Sequence, residues 1–335
     1  MLRILRNIYL AELIVLLFVL LSAALYFGLN VVPRDPWGLY KQRLFHSLVF
    51  YLVGISLCPF ALRLRAIAGH RRGAGRIPWT DTLKDFQVRF LSRKMLVRDL
   101  RLIHAISVMF VVYINLKHLI PSISPAMWDP ELYRWENSHF GNLIGVYMQQ
   151  SMSIQAAPIL SLGYVAFYSF VAVLIFTMVL SRRDVLACDF AAAFVLLWFL
   201  GILFVYLVPT LGPCFAYPEL YSHLPFTEVT ELQQRLLEHR QHLIDHANSK
   251  AVYLISGFPS LHLAVPILAT FYLRQLHWIL ALVSGLFAVL TAITTLYFGW
   301  HYLLDDIGSI VLVFATFISL SFIRRLVPTI EGRTT

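Results

Sequence analysis

Apolar runs of roughly twenty residues recur along this whole chain, and no other feature constrains its fold so tightly. A bilayer offers the backbone no hydrogen-bond partners, so such runs must satisfy their own N–H and C=O groups as helices. Eight are read, at about 8–30, 44–62, 102–120, 156–180, 187–212, 251–274, 277–297 and 300–323. Composition agrees. The 335 residues are 59% hydrophobic and 13% charged, whereas soluble domains carry about 25% charged residues. The expected fold is therefore all-α: one polytopic integral membrane domain over 1–335, with about eight transmembrane helices. The first run is longer than the apolar core of a cleavable signal peptide and is read as a retained helix. Cys58, Cys188 and Cys214 are scattered and form neither a disulfide framework nor a metal motif.

Charge sets the expected orientation. The net charge is +9, and residues 63–101 hold eleven Lys or Arg against three Asp. Basic loops stay cytoplasmic, so 63–101 is read as a basic cytoplasmic loop that also attracts anionic headgroups. Nothing beside the basic run supports nucleic-acid binding. Both termini are then cytoplasmic, together with the basic links "SRRD" and "LRQLH". The loops 121–155 and 213–250 fall on the other side, and each has a net charge of −2. The second holds "TEVTELQQRLLEHRQHLIDHANS", with Val229, Leu232, Leu236, Leu243 and Ile244 at helical spacing and Thr227 able to cap the start. An amphipathic helix lying on the membrane is expected in this extracytoplasmic loop, with a lid over a site as the alternative.

Two of the apolar runs begin with residues that lipid would not favour. "GFPSLHLAVPILA" carries Ser260 and His262, and "GWHYLLDDIGSIVLVF" carries His301 and Asp305. In the expected topology both heads reach the same depth on the same side. His301 and Asp305 are four apart and share a helix face. Asp305 can hold one imidazole nitrogen and leave the other basic and nucleophilic. Taken singly, each residue has a plain structural reading: a solvated histidine, a Ser cap, an interfacial Asp. Together they are harder to dismiss, because ionisable groups within membrane helices are costly.

"FPSLH" followed by "GWHYLLDD" resembles the second and third motifs of the type 2 phosphatidic acid phosphatase superfamily, Pro-Ser-x-His and a His-x-x-x-Asp ending. Within it the chain looks most like the inositol phosphorylceramide synthase branch and its bacterial relatives, whose motifs correspond to about 206–310 here; "NLKHLIP" at 115–121 is similar as well. The resemblance implies a catalytic helical core over 102–323 and a bacterial inner-membrane enzyme with an extracytoplasmic site. It implies that His301 takes the phosphoryl group, that Asp305 orients it, and that His262 protonates the leaving alkoxide and then deprotonates the acceptor. No cofactor or metal is implied. The partners would be a lipid phosphoester donor and either water or a hydroxylated lipid or polyol. Ser260 and the amides at its helix start would cradle phosphate oxygens.

The chain departs from the family pattern at its basic residues. The Lys-x₆-Arg-Pro motif is missing from "YLVPTLGPCFAYPE", and Thr294 and Thr295 stand where the third motif usually opens Ser-Arg. Lys117 is read as the substitute, with a snorkelling membrane anchor as its plain alternative. Tyr297 and Tyr302 are further candidate phosphate contacts. A donor with an esterified headgroup carries one phosphate charge fewer than a monoester and needs fewer cations. The sequence thus leans to a phosphotransferase acting through a phosphohistidine, with a lipid phosphate or pyrophosphate phosphatase as the alternative. A zinc hydrolase using His262, His301 and Asp305, and a transporter or scaffold, are weaker readings. Neither a dense His-Glu-x-x-His motif nor repeated halves support them.

Overall fold

The computed structural model describes residues 8–69, 78–124, 126–245 and 257–327. Among these the regular elements are helical, save one isolated bridge between Pro209 and Gly257. The first helices are α1 (Leu10–Gly28), α2 (Pro36–Gly69), α3 (Trp79–Phe90), α4 (Arg93–Ile123), α5 (Asp129–Phe140) and α6 (Ile144–Ser151). Then come α7 (Ala156–Val179), α8 (Asp184–Leu207), the short α9 (Pro213–Ala216), α10 (Glu228–Asp245), α11 (Leu261–Leu276), α12 (Trp278–Tyr297) and α13 (Leu303–Leu326). The chain is an all-α polytopic membrane protein. Six helices, α1, α2, α7, α8, α12 and α13, are long and apolar enough to cross a bilayer. The other two expected runs are also helical: α4 has 31 residues and α11 has 16.

At the centre stands α8. Its apolar residues run all round it, as an enclosed helix requires, and α1, α4, α7, α11 and α13 pack against it. Phe18 of α1 stacks on Phe199 with ring centroids 3.9 Å apart.

Several boundaries differ from the sequence reading, each for a local reason. The sixth run was expected from 251; residues 251–256 lie outside the described ones, 257–260 are not helical, and α11 starts at Leu261. Pro259 disfavours a helical conformation in the residue before it. Ser260 then caps α11, its Oγ accepting the Leu263 N–H at 3.4 Å. Gly257 packs so closely on Val205 that a Cβ there would stand 2.5 Å from that side chain. The fifth run was expected to reach 212, but α8 stops at Leu207 before Pro209.

The basic segment 63–101 contains α3 and the first turns of α4. That helix runs through charges because they are paired. Buried Asp99 takes Arg98 at 2.6 Å, Arg182 at 2.9 Å and the Tyr51 hydroxyl at 3.0 Å. Arg98 also reaches Asp184 and the Val179 carbonyl. Removing one member of such a buried pair costs about 3–5 kcal/mol.

The segment 121–155, read as a loop, carries α5, which meets the start of α13, and α6, which packs on α12. In the segment from 213 on, α10 forms as expected. Thr227 caps it, accepting the Thr230 N–H on Oγ1 at 3.2 Å.

Candidate active site

His301 sits in the turn between α12 and α13. Thr295 starts this turn: its carbonyl accepts the Trp300 N–H at 2.9 Å and the His301 N–H at 3.4 Å. The hydroxyls of Thr294 and Thr295 bond back to the Thr291 carbonyl. These two threonines therefore shape the turn rather than offer a clamp. Gly299 has φ +67, and a Cβ on it would lie 2.5 Å from the Tyr221 ring. Only glycine meets both demands without strain. The Gly299 carbonyl accepts the Cys214 N–H at 2.8 Å, which ties α9 to the turn.

His301 Nδ1 lies 3.0 Å from Asp305 Oδ2. The same oxygen accepts the Tyr302 N–H at 3.1 Å, which caps α13. Ser260 N–H donates to the Asp305 carbonyl at 3.1 Å, and Ser309 Oγ bonds the carbonyls of both Ser260 and Asp305. The starts of α11 and α13 are thereby joined, and the imidazoles of His262 and His301 stand with ring centroids 6.2 Å apart. His262 lies between aromatic walls, its ring centroid 5.2 Å from that of Tyr164 and 4.5 Å from that of Phe167.

Both histidines line a cavity of about 320 Å³, and so does Lys117 at the end of α4. Three elements far apart in sequence thus meet at one end of the bundle. Among the described residues no carboxylate pairs with Lys117, and no three His, Cys, Asp or Glu side chains form a cluster able to share a metal ion. The remaining walls are largely aromatic, including Tyr113, Trp198, Phe215 and Trp300. Tyr168 of α7 both lines the cavity and is 63% exposed, so the cavity reaches the apolar outer face of the bundle there. Leu232 and Leu236 of α10 close another side.

The other candidates lie elsewhere. The buried Ser260 hydroxyl serves as a helix cap. Tyr302 is buried, and its hydroxyl donates to Asp129 Oδ1 at 3.0 Å. Tyr297 packs with Ala157, Leu160 and Val229, outside the residues that line the cavity.

Sequence reasoning missed two carboxylates, counting Asp129 and Glu136 only as loop charges. Both are buried. Besides Tyr302, Asp129 accepts the N–H groups of Leu211 and Gly212, at 2.9 and 3.0 Å. Glu136 accepts the Ile144 N–H at 2.6 Å and the Leu303 N–H at 3.0 Å. Burial raises both carboxyls above the usual carboxylate range, and the N–H donors, with the Tyr302 hydroxyl at Asp129, offset only part of that rise. Their spacing of seven, which puts both on one face of a helix, was the available signal.

The fold and site together define a polytopic membrane protein with a paired-histidine cavity at the head of two helices. A family model described as the PAP2 superfamily matches residues 130–319, more than half of the chain. The chain belongs to the PAP2 superfamily, whose chemistry is that of lipid phosphatases and phosphotransferases. No curated protein and no solved structure matches it. Lys117 lies outside the matched residues.

Proposed function

We propose that the protein is a lipid phosphotransferase that moves a phosphoryl or substituted phosphoryl group from a lipid phosphoester to a hydroxyl through His301. The observation that carries this is the hydrogen bond from His301 to Asp305, across one cavity from His262 and Lys117. With Nδ1 engaged by Asp305, Nε2 is the reacting nitrogen. The N–P bond forms as the P–O ester bond breaks, and His262 passes its proton to the departing alkoxide. In the second half His262 takes the acceptor's proton, the acceptor oxygen bonds phosphorus, and the N–P bond breaks. A neutral imidazole approaches an anionic phosphorus centre without full charge repulsion, and the covalent intermediate splits one hard step into two. Asp305 stabilises the imidazolium character of the phosphohistidine.

Two further features support the finer points. Among the described residues Lys117 is the one Lys or Arg lining this cavity, which suits a singly charged phosphodiester better than a dianionic monoester. The rim at Tyr168 suits lipid chains that stay in the bilayer while the phosphate enters. The leucines of α10 favour a hydroxyl acceptor over water, because closure that excludes water protects a reactive intermediate.

The test is purified protein in lipid nanodiscs, supplied with a panel of labelled lipid phosphomonoesters and phosphodiesters and of alcohol acceptors. Base-stable, acid-labile label on the wild-type chain, absent from His301→Ala, is the expected result. Turnover by His301→Ala at the wild-type rate would sink the proposal. Products formed only with water, across the acceptor panel, would leave a phosphatase using the same residues.

A further inference from the structure

The turn bearing His301 is gripped from α5 as well as from its own helix. Tyr302 and Leu303 directly follow the histidine. Asp129 receives the Tyr302 hydroxyl at 3.0 Å, and Glu136 receives the Leu303 N–H at 3.0 Å. Leu303 is the first residue of α13, where backbone N–H groups lack intrahelical partners. A carboxylate there satisfies a donor and complements the helix dipole. Glu136 thus caps in trans a helix that begins 167 residues later.

Its other oxygen holds the start of α6, and Asp129 also holds the Leu211–Gly212 backbone. The two carboxylates therefore lock the turn, the α8–α9 link and the α5–α6 hairpin into one rigid unit. Asp305 alone cannot do this. Its Oδ2 serves both His301 and Tyr302, and its Oδ1 has no partner among the described residues. A shift of Tyr302 would therefore drag the oxygen that orients the imidazole.

We propose that Glu136 and Asp129 are positioning residues of the reaction, holding the His301 turn from the α5–α6 hairpin so that the imidazole is aligned for in-line attack. This rests on the reading that His301 is the reacting group. In-line transfer is sensitive to such alignment: a displacement of about 1 Å can cost about 10²-fold in rate. Neither residue lines the cavity, so neither should contribute to donor binding.

The experiment compares wild type with Glu136→Gln, Asp129→Asn and Tyr302→Phe in nanodiscs, using a lipid phosphoester that the wild type turns over. Turnover, apparent KM and the thermal unfolding midpoint are measured on each. Gln presents a single acceptor oxygen where Glu136 uses two, so one of the two N–H groups loses its partner. The expected result for Glu136→Gln is a fall in turnover of about 10²-fold, with apparent KM unchanged and the protein folded. Tyr302→Phe removes one hydroxyl and keeps the ring. It should lower turnover in the same pattern by a smaller factor, and it carries the test should Glu136→Gln fail to fold. Unchanged turnover in Tyr302→Phe and in a folded Glu136→Gln overturns the proposal. So does a loss in which turnover, KM and unfolding midpoint all worsen together, which marks a purely structural role. Activity in His301→Ala overturns it along with the reading beneath it; loss there with full activity in Glu136→Gln overturns this inference alone.

Discussion

His301 Nδ1 and Asp305 Oδ2 lie 3.0 Å apart, and that same carboxylate oxygen accepts the Tyr302 N–H at 3.1 Å. One oxygen therefore both orients the imidazole and caps the helix that carries the carboxylate. The four-residue spacing makes this geometry local, and the cap makes it rigid. Substitutions at these two positions should separate the roles. His301→Ala should reduce turnover to background while the protein still folds and inserts. Asp305→Asn should lower it by about 10²–10⁴-fold. An amide oxygen can still accept both donors, as Oδ2 alone does, but it carries no charge and cannot stabilise a cationic phosphohistidine. Steady-state rates on the folded variants check both, and near-full activity in either would refute the assigned role.

His262 stands across the cavity between aromatic rings, with no carboxylate bonded to it among the described residues. In the proposed mechanism it transfers protons, since no described carboxylate fixes its ring as Asp305 fixes that of His301. His262→Ala should slow both halves of the reaction. It should slow the first half least for a donor whose leaving group is already stable as an anion. A matched pair of lipid phosphoesters, one with a nitrophenyl and one with an alkyl leaving group, measures this. Equal slowing of the two would remove leaving-group protonation from its role.

How much of this was legible depended on range. The eight helical runs could be read because a bilayer forces apolar segments of that length to be helices. The pairing of His301 with Asp305 was legible because four residues bring side chains onto one face. Lys117 was read from its charge, its place near a helix end and the family-like stretch around it, and the structure brings it to the same cavity as both histidines. Tyr302 was read as a candidate phosphate contact because its hydroxyl lies next to His301 in sequence; in the structure that hydroxyl bonds Asp129. The roles of Asp129 and Glu136 were invisible for a related reason. They act on Tyr302 and Leu303, more than 160 residues away. The helix α5 is also short and polar and α6 has only 8 residues, so neither resembles a membrane-length apolar run.

Lys117 tests whether one cation replaces the arginines expected of the family. It lines the cavity, so truncation should remove a contact made to phosphate in the ground state as well as in the transition state. Lys117→Ala should then raise the apparent KM for the donor more than it lowers turnover. Lys117→Arg should retain binding in part, since the charge remains while the geometry of a point ammonium is lost. Michaelis parameters on both variants decide it. Unchanged kinetics in Lys117→Ala would return the residue to membrane anchoring.

A mechanism built on imidazole nucleophile and imidazole acid needs no metal. Activity in purified protein should be unaffected by prolonged incubation with strong chelators. Reversible loss, restored by added zinc, would instead favour a hydrolase in which the same histidines serve as ligands.

The choice between water and a hydroxyl acceptor falls on α10. Its start is pinned to α7: Ser161 Oγ donates to Glu228 Oε2 at 2.9 Å and accepts the Val229 N–H at 3.2 Å. One turn further, Gln233 Nε2 donates to the Phe298 carbonyl at 2.7 Å, beside the turn that carries His301. Leu232 and Leu236 then form part of the cavity wall. A phosphohistidine waiting for a hydroxyl must be kept from water, and these two side chains are placed to help exclude it. Leu232→Ser with Leu236→Ser should admit water and raise hydrolysis relative to transfer. Deleting 228–247 should do so more strongly. The measure is free phosphorylated headgroup against new lipid product in the same reaction. In a simple phosphatase the same changes would alter rate or donor affinity and leave the product unchanged. An unaltered ratio in a wild type that does perform transfer would show that α10 is a wall of the donor site and not a barrier to water.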